Sequence, residues 1–234
     1  MDWASKLGYT AEECDEQNRV AIQFAEELRN EFNPDAVIAA VIGPRGDGYL
    51  ADSRMTVDEA ELYISRQIAV FASTNADFVQ MKTLTYVEEA IGGALAAKKI
   101  GIPIVISFTT ETDGRLPSGM SLKDAIEAVD KASDNYPVYF MLNCSHPTHF
   151  ASELKSAVDQ PWIHRLRALK GNASTKSHAE LNDSTSLDSG NPEEFGQQIA
   201  ELKKIFPHLN IFGGCCGSDL RHVKQVYEAL SKGK

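Results

Sequence analysis

The sequence is poor in basic residues and in long apolar runs. Its 23 lysines and arginines are outnumbered by 33 acidic residues, which gives a formal net charge of -10. Nucleic acids and anionic membrane surfaces attract basic patches, so we expect neither as a partner. We interpret the acidic balance as a means of staying in solution. No apolar run is long enough to span a bilayer, so we expect no membrane association.

Cysteine is also scarce: the 234 residues include only Cys14, Cys144, Cys215 and Cys216. The first thirty residues contain no continuous apolar run of the kind that marks a secretory signal. We therefore expect a cytoplasmic, reducing compartment, where cysteines serve metal binding or chemistry more often than disulfides. Cys14 lies in a polar helical stretch, and we interpret it as an incidental surface thiol.

The sequence shows no internal repeat, no low-complexity segment and no Gly-x-Gly-x-x-Gly nucleotide fingerprint. Its composition, 43% hydrophobic and 24% charged, is ordinary for a globular protein. We therefore predict a single domain over residues 1–234.

Apolar runs alternate with helical patterns along the whole chain, which predicts a parallel α/β sheet. The predicted strands are 36–42, 77–82, 103–109, 138–144, 163–169 and 210–215. The predicted helices are 10–32, 57–73, 86–99, 122–133, 152–158, 192–206 and 219–231. The polar, Ser/Asp-rich segment 176–191 predicts a long loop.

Two of these segments carry more specific expectations. In the first helix, Val20, Phe24 and Leu28 share one face, and Thr10 begins a capping box with the glutamate three residues later. Segment 36–42 is continuously apolar, which predicts a strand buried on both faces.

The most unusual motif is the pair of adjacent cysteines in Gly213–Gly217, Gly-Gly-Cys-Cys-Gly, after a short apolar run. Glycines let the backbone approach closely, and neighbouring cysteines do not form an ordinary unstrained disulfide. Two thiolates aimed at one point suit a soft metal ion. Cys144, at the end of another predicted strand, is the candidate third ligand. The alternative, buried inert cysteine, fits Cys144 alone but fits Cys215 and Cys216 poorly.

Three motifs in order resemble the homocysteine S-methyltransferase family, zinc-dependent enzymes that methylate a thiol on a (β/α)8 barrel. They are Gly43-Pro-Arg-Gly-Asp-Gly-Tyr-Leu50, Asn143-Cys144 and the double-cysteine motif. The resemblance implies an α/β fold of TIM-barrel type with six parallel strands, matching strands three to eight of the family. The first two strands have no counterpart, so we expect an incomplete barrel. Its uncovered apolar edge suggests a homo-oligomer.

The resemblance also implies an activity, zinc-dependent methyl transfer from a sulfonium or similar donor to a thiol. By analogy the acceptor is homocysteine and the product is methionine. Both partners are small molecules, and Cys144, Cys215 and Cys216 hold the zinc, leaving one coordination position open. The residues implied in substrate binding are Gly46, Asp47, Thr83, Asn143 and Asn172. For the two asparagines and for Gly46 and Asp47, simple turn or strand-end chemistry is the alternative.

Lys82 departs from the family, which has glutamate at this place before the threonine. A lysine cannot accept a hydrogen bond from an amino-acid ammonium group. Glu111 and Asp113 are candidate replacement carboxylates, with a solvated surface loop as the alternative. The departure favours a second function, a non-catalytic metal-binding member acting as an interaction protein.

The histidines fall into two groups. Two of them follow Cys144 closely, and we interpret them as loop residues that shape the pocket or bind a substrate carboxylate; metal ligation is the alternative. These are His146 and His149. The other four show no partner in the sequence and are interpreted as structural or surface residues. These are His164, His178, His208 and His222.

Overall fold

A six-stranded sheet organises the computed structural model, which describes residues 2–232. The strands are β1 (Ala39–Ile42), β2 (Phe78–Leu84), β3 (Ile104–Phe108), β4 (Tyr139–Asn143), β5 (Leu166–Gly171) and β6 (Ile211–Gly214). They lie side by side in chain order, and every neighbouring pair is parallel. The predicted parallel α/β architecture with six strands is confirmed, and the sheet has the form of a half-barrel.

Helices lie before, between and after the strands. They are α1 (Asp2–Lys6), α2 (Ala11–Phe32), α3 (Val57–Ala72), α4 (Val87–Ile100), α5 (Leu122–Ser133), α6 (Pro147–Ser156), α7 (His178–Asn182), α8 (Pro192–Ile205) and α9 (Leu220–Ser231). The capping box at the start of α2 is present, with Thr10 and Glu13 bonded reciprocally. None of the helices in the described range combines the length and apolar character needed to cross a membrane.

Three predicted segments were wrong in detail. Helix α6 begins earlier than expected, because Pro147 stands in its first turn and His146 caps it. Strand β5 begins only at Leu166, after a 3-10 turn over Pro161–Arg165. The predicted loop 176–191 contains the short helix α7, which starts with a capping box at Ser177.

The sheet separates a large apolar core from a small one. Helix α3 packs against α4, and its buried residues include Ile64, Ile68 and Phe71. Because side chains alternate along a strand, Val105 and its neighbours point the other way, into the concave inner face. There Val105, Met141 and Ala168 form a second buried cluster. The inner face leads directly to the carboxyl ends of the strands.

The apolar face of α2 and the strand β1 are more open than the sequence suggests. Phe24 is 60% exposed and Val20 47%, whereas Ile22 is the buried residue of this helix. Val41 of β1 is 47% exposed, so the prediction that this strand is buried on both faces was wrong. The physical reason is its place: among the described strands, β1 pairs only with β2 and forms an edge of the sheet.

Candidate metal centre

The three predicted ligand cysteines meet at the carboxyl edge of the sheet. Cys144 directly follows β4, and Cys215 and Cys216 directly follow β6. Cys144 Sγ lies 2.6 Å from Cys215 Sγ and 3.9 Å from Cys216 Sγ. All three sulfurs lie within 4.8 Å of one another. Parallel strands present their ends at one edge, which brings residues 71 and 72 positions apart together.

The backbone around the sulfurs turns sharply. Cys144 has a φ of 57°, in the left-handed region of backbone conformation that residues other than glycine rarely adopt. On the other side, a Cβ on Gly214 would lie 1.9 Å from Ser218 Oγ, so only glycine fits there. Ser218 Oγ donates to the carbonyl oxygen of Cys215 at 2.7 Å. These turns aim the thiols of both segments at one point.

Asn172 ties the two cysteine turns together. Its Nδ2 donates to the carbonyl oxygen of Cys144 at 2.9 Å, and its Oδ1 accepts from the amide of Cys216 at 3.1 Å. The residue is 2% exposed. Its amide group is therefore committed to holding the cysteines in place.

Asn143 and Thr83 form a second support. Asn143 Oδ1 accepts from the amide of Thr83 at 2.9 Å, and its Nδ2 donates to Thr83 Oγ1 at 2.8 Å. The same Oδ1 accepts from the Ser107 hydroxyl. Thr83 has a φ of 60°, and its hydroxyl lies 3.8 Å from Cys144 Sγ. Both residues lie beside the sulfurs, and Thr83 is the more accessible of the two.

His178 is a site residue that the sequence reasoning missed. Its Nε2 donates to the carbonyl oxygen of Cys144 at 2.7 Å, since a carbonyl can only accept. Its Nδ1 lies 3.1 Å from Glu111 Oε1. The residue lies in a polar stretch without periodicity, so no signal in the sequence distinguishes it. Glu111 thus belongs to the surroundings of the site, whereas Asp113 accepts from the amide of Arg115 in a turn.

Tyr49 is the second missed residue. Its hydroxyl lies 3.5 Å from Cys216 Sγ, and its ring centroid lies 4.2 Å from that of His178. Burial and then the contact with Cys216 raise the pKa of Tyr49, so it stays protonated and donates to the sulfur. Tyr49 belongs to the motif Gly43–Leu50, which was the available signal.

Gly46 and Asp47 lie in the loop that follows β1. Both are exposed, and Gly46 has a φ of 83° in the turn. Asp47 Oδ1 accepts from the amide of Tyr49 at 2.7 Å. Asp47 therefore shapes the loop that directs Tyr49 to the sulfurs.

His146 and His149 are not part of the sulfur cluster. His146 Nδ1 accepts from the amide of Thr148 at 3.3 Å, which caps α6. Burial, and then the nearby charge of His149, lowers the pKa of His146 to about 4, so it is neutral at pH 7. His149 Nε2 lies 2.8 Å from the carbonyl oxygen of Thr175. Among the described residues, the group able to hold a metal consists of the three cysteines.

The three thiols differ in how readily each loses its proton. The pKa of Cys216 lies well below its usual range, because Cys144, Cys215 and then Tyr49 hold hydrogen bonds to its sulfur. The pKa of Cys144 is raised, because its proton is held by Cys215 and then by Cys216. Deprotonating all three thiols together requires a compensating positive charge, which a metal ion supplies.

The residues fit a soft metal ion. Four-coordinate zinc with Zn–S bonds of ~2.3 Å places two sulfur ligands ~3.8 Å apart. The 3.9 Å between Cys144 and Cys216 meets this value, and Cys215 has to withdraw from Cys144 by ~1 Å. An all-sulfur donor set selects soft metals over magnesium or calcium. A cavity of about 270 Å³ next to Cys216, lined also by Tyr49 and His178, gives access to the cluster.

Comparisons with known proteins identify the family of this chain. The model of the family described as homocysteine S-methyltransferase matches residues 3–230. Homocysteine S-methyltransferase 1 of Arabidopsis thaliana is 26% identical over 60% of this chain and 49% of its own length. Betaine--homocysteine S-methyltransferase 1 of Danio rerio is 24% identical over 97% of this chain and 56% of its own length. The chain thus spans about half the length of these curated relatives.

Solved structures show the same fold. The metallated form of the homocysteine methyltransferase MmuM from Escherichia coli superposes with a TM-score of 0.74 at 16% identity, over 99% of this chain and 75% of that one. The oxidized form gives a TM-score of 0.76 at 15% identity, over 96% and 74%. With a family match over almost its whole length, a half-barrel of the same type and three converging cysteines, this chain belongs to the homocysteine S-methyltransferase family.

Proposed function

We propose that this protein is a zinc-dependent S-methyltransferase that methylates a thiol. The observation that carries the proposal is the convergence of the Cys144, Cys215 and Cys216 sulfurs within 4.8 Å at the carboxyl ends of two strands. Working residues of barrel enzymes lie at these strand ends. Three sulfur ligands leave one tetrahedral position for a substrate.

Zinc is the proposed metal because the donors are all thiolates and the reaction needs no redox change. When bound, zinc supplies the positive charge that keeps an acceptor thiol deprotonated at neutral pH. The protein's own contribution is positioning. Asn172 and His178 fix the Cys144 backbone, and Tyr49 donates to Cys216.

The transfer itself balances without an oxidant or reductant. The acceptor sulfur, as a thiolate, attacks the methyl carbon and forms a new S–C bond. The bond from that carbon to the positively charged donor atom breaks, and its electron pair stays with the donor, which leaves neutral. The acceptor's proton goes to solvent before the attack.

Homocysteine is the acceptor that we propose to assay first, with methionine as its product and a place in methionine biosynthesis as the consequence. Sulfonium compounds are the proposed class of methyl donor. Betaine should be assayed beside them, because the name of the Danio rerio relative includes betaine. Both partners are small molecules, consistent with the cavity beside Cys216. Thr83, Asn143, Asn172, Gly46 and Asp47 are proposed to surround the substrates. We also propose a cytoplasmic location and one domain over residues 1–234.

The test is metal content of the purified protein together with methyl transfer to homocysteine from each donor. We expect about one zinc per chain and product formation that depends on the metal. Zinc retention without transfer from any donor would instead favour the second function, a non-catalytic metal-binding protein. Absence of zinc after expression in zinc-supplied cells would contradict both.

A further inference from the structure

Two lysines face the inner side of the half-barrel just below the sulfur cluster. Phe78, Gln80 and Lys82 alternate along β2; Phe78 packs on the inner apolar cluster, and Gln80 Nε2 reaches Met141 Sδ at 3.4 Å in that cluster. Lys82 is the next residue of this alternation toward the carboxyl edge; the pairing of β2 with β3 is regular up to Met81 and shifts between Met81 and Leu84. It is half-buried and immediately precedes Thr83, whose hydroxyl approaches Cys144 Sγ.

Lys170 occupies the corresponding place on β5. It alternates with Ala168, a member of the inner cluster, and its register partners are Asn143 on β4 and Gly213 on β6. Its aliphatic chain passes over Gly213, where a Cβ would lie 3.4 Å from Lys170 Cγ. Gly213 stands two residues before Cys215, so Lys170 lies ~7 Å along the strand from the sulfur cluster.

No carboxylate of the described residues pairs with either ammonium group. Neither lysine forms an ion pair with another described residue. Burial, and then the charge of Lys82, lowers the pKa of Lys170, whereas the charge of Cys215 opposes this lowering; both effects agree with the place of Lys170 between Lys82 and the sulfur cluster. A substrate that extends from the sulfurs along the inner face therefore meets two positive charges.

We propose that Lys82 and Lys170 select a thiol acceptor that carries a carboxylate, and that they disfavour an ammonium group on it. This inference rests on the proposed function and narrows its substrate class. Charge-assisted hydrogen bonds from an ammonium group to a carboxylate are among the stronger polar contacts. An acceptor ammonium group placed beside two lysines meets repulsion, and a lysine side chain offers it no acceptor atom. A thiol whose carboxylate carbon is about the fourth carbon from the sulfur is long enough to extend from the sulfur cluster to Lys170.

Four thiols with the same backbone test this. They are 4-mercaptobutyrate, homocysteine, 3-mercaptopropylamine and 3-mercaptopropanol, which differ only in their carboxylate, ammonium and hydroxyl groups. Calorimetric titration of the zinc-loaded protein measures each affinity independently of methyl transfer. We expect 4-mercaptobutyrate to bind ~10-fold or more tightly than 3-mercaptopropanol. Homocysteine should bind less tightly than 4-mercaptobutyrate, and 3-mercaptopropylamine should bind least.

Variants connect the selectivity to the lysines. Lys82→Gln and Lys170→Gln should each weaken 4-mercaptobutyrate binding ~10-fold and leave 3-mercaptopropanol binding and zinc content unchanged. Lys82→Glu should shift the preference toward 3-mercaptopropylamine. Lys155→Gln, at an exposed lysine of α6, is the matched control and should change none of these values.

The possible failures are distinguishable. Equal affinity for the carboxylate and hydroxyl thiols, or equal weakening of both by the lysine variants, would overturn this inference and leave the proposed function standing. Failure of all four thiols to bind a zinc-loaded protein would overturn both. Loss of zinc from a lysine variant would assign that lysine to the cluster instead of the substrate, which also overturns the inference.

Discussion

The Nε2 atom of His178 lies 2.7 Å from the carbonyl oxygen of Cys144. This contact joins the short helix α7 to a cysteine whose backbone lies in the left-handed region, with a φ of 57°. Glu111 holds the other ring nitrogen at 3.1 Å. A residue outside the sulfur cluster thus fixes the backbone of one of its members, and such supporting contacts typically change metal affinity 10–100-fold.

The first prediction follows from that contact. Replacing His178 by alanine should lower zinc affinity ~10-fold, because Cys144 loses one of the donors that hold its turn. His178→Gln, which can still donate to the carbonyl, should lose less. Competition with a chromophoric chelator measures both affinities. His164→Ala, at an exposed histidine, is the control. An unchanged affinity in His178→Ala would show that the other donors to this carbonyl oxygen, Asn172 and Thr109, suffice.

The second prediction concerns the sulfurs themselves. Cys144→Ser, Cys215→Ser and Cys216→Ser should each lower the zinc content sharply, because two thiolates and a hydroxyl make a much weaker site. Cys14→Ser should retain the metal, since Cys14 lies on α2 outside the cluster. Elemental analysis of dialysed protein gives the stoichiometry. Full zinc content in a variant lacking all three cysteines would rule out this centre.

The sulfur cluster could be predicted because it depends on local patterns that the sequence displays. Apolar strands ending in Asn-Cys and Gly-Gly-Cys-Cys-Gly place the thiols at one edge as soon as the sheet is parallel. The family resemblance added Asn143 and Asn172. Asn143 Nδ2 lies 4.0 Å from Cys215 Sγ, and Asn172 bonds to the backbone of Cys144 and Cys216.

The contacts that were missed are non-local. His178 reaches Cys144 across 34 residues, from a polar segment that offers no periodicity. The position of Lys170 over Gly213 depends on strand register, which the sequence does not specify. The sequence showed that α2 has an apolar face, but it did not show which residues of the helix pack against the rest of the protein. Ile22 is buried, while Phe24 points outward. Sequence patterns specify which faces are apolar, and tertiary packing decides which of them are covered.

Glu89 gives the structure a pH-dependent element. It is fully buried on α4, and its Oε1 accepts from the amide of Arg45 at 2.7 Å. Burial raises the pKa of Glu89 from 4.5 to about 6, against the opposing effect of the Arg45 amide. The folded state therefore holds this proton more tightly than the unfolded state does. The stabilisation is fully present below pH 4.5 and is lost as the pH rises through about 6.

The third prediction is that the stability of the parent protein relative to Glu89→Gln falls by about 2 kcal/mol between pH 4.5 and pH 7. Glutamine keeps an acceptor for the Arg45 amide and cannot ionise. Urea unfolding at pH 4.5, 5.5 and 7 measures the difference. Glu88→Gln, one residue away and not fully buried, is the matched control. A difference that does not change with pH would mean that Glu89 titrates normally in the fold.

The open edge of the half-barrel bears on assembly. Strand β1 carries no charge, and its Val41 is 47% exposed on the inner side. On helix α2, which precedes β1 in the chain, Phe24 is 60% exposed and Leu28 41%. An uncharged apolar edge strand can pair with another chain, and natural proteins usually block such edges with charges or prolines. Exposed apolar patches of this kind mark interaction surfaces in soluble proteins.

The fourth prediction is that this chain self-associates through the β1 edge and the apolar face of α2. Light scattering at micromolar concentration should give a mass above that of one 25.6 kDa chain. Val41→Lys and Phe24→Lys should each shift the protein toward monomer, because a lysine at the edge resists both strand pairing and apolar contact. Val158→Lys changes a valine of similar exposure elsewhere and should leave the mass unchanged. A parent protein that is a stable monomer at these concentrations would refute the association, and would mean that the exposed β1 edge does not drive pairing between chains.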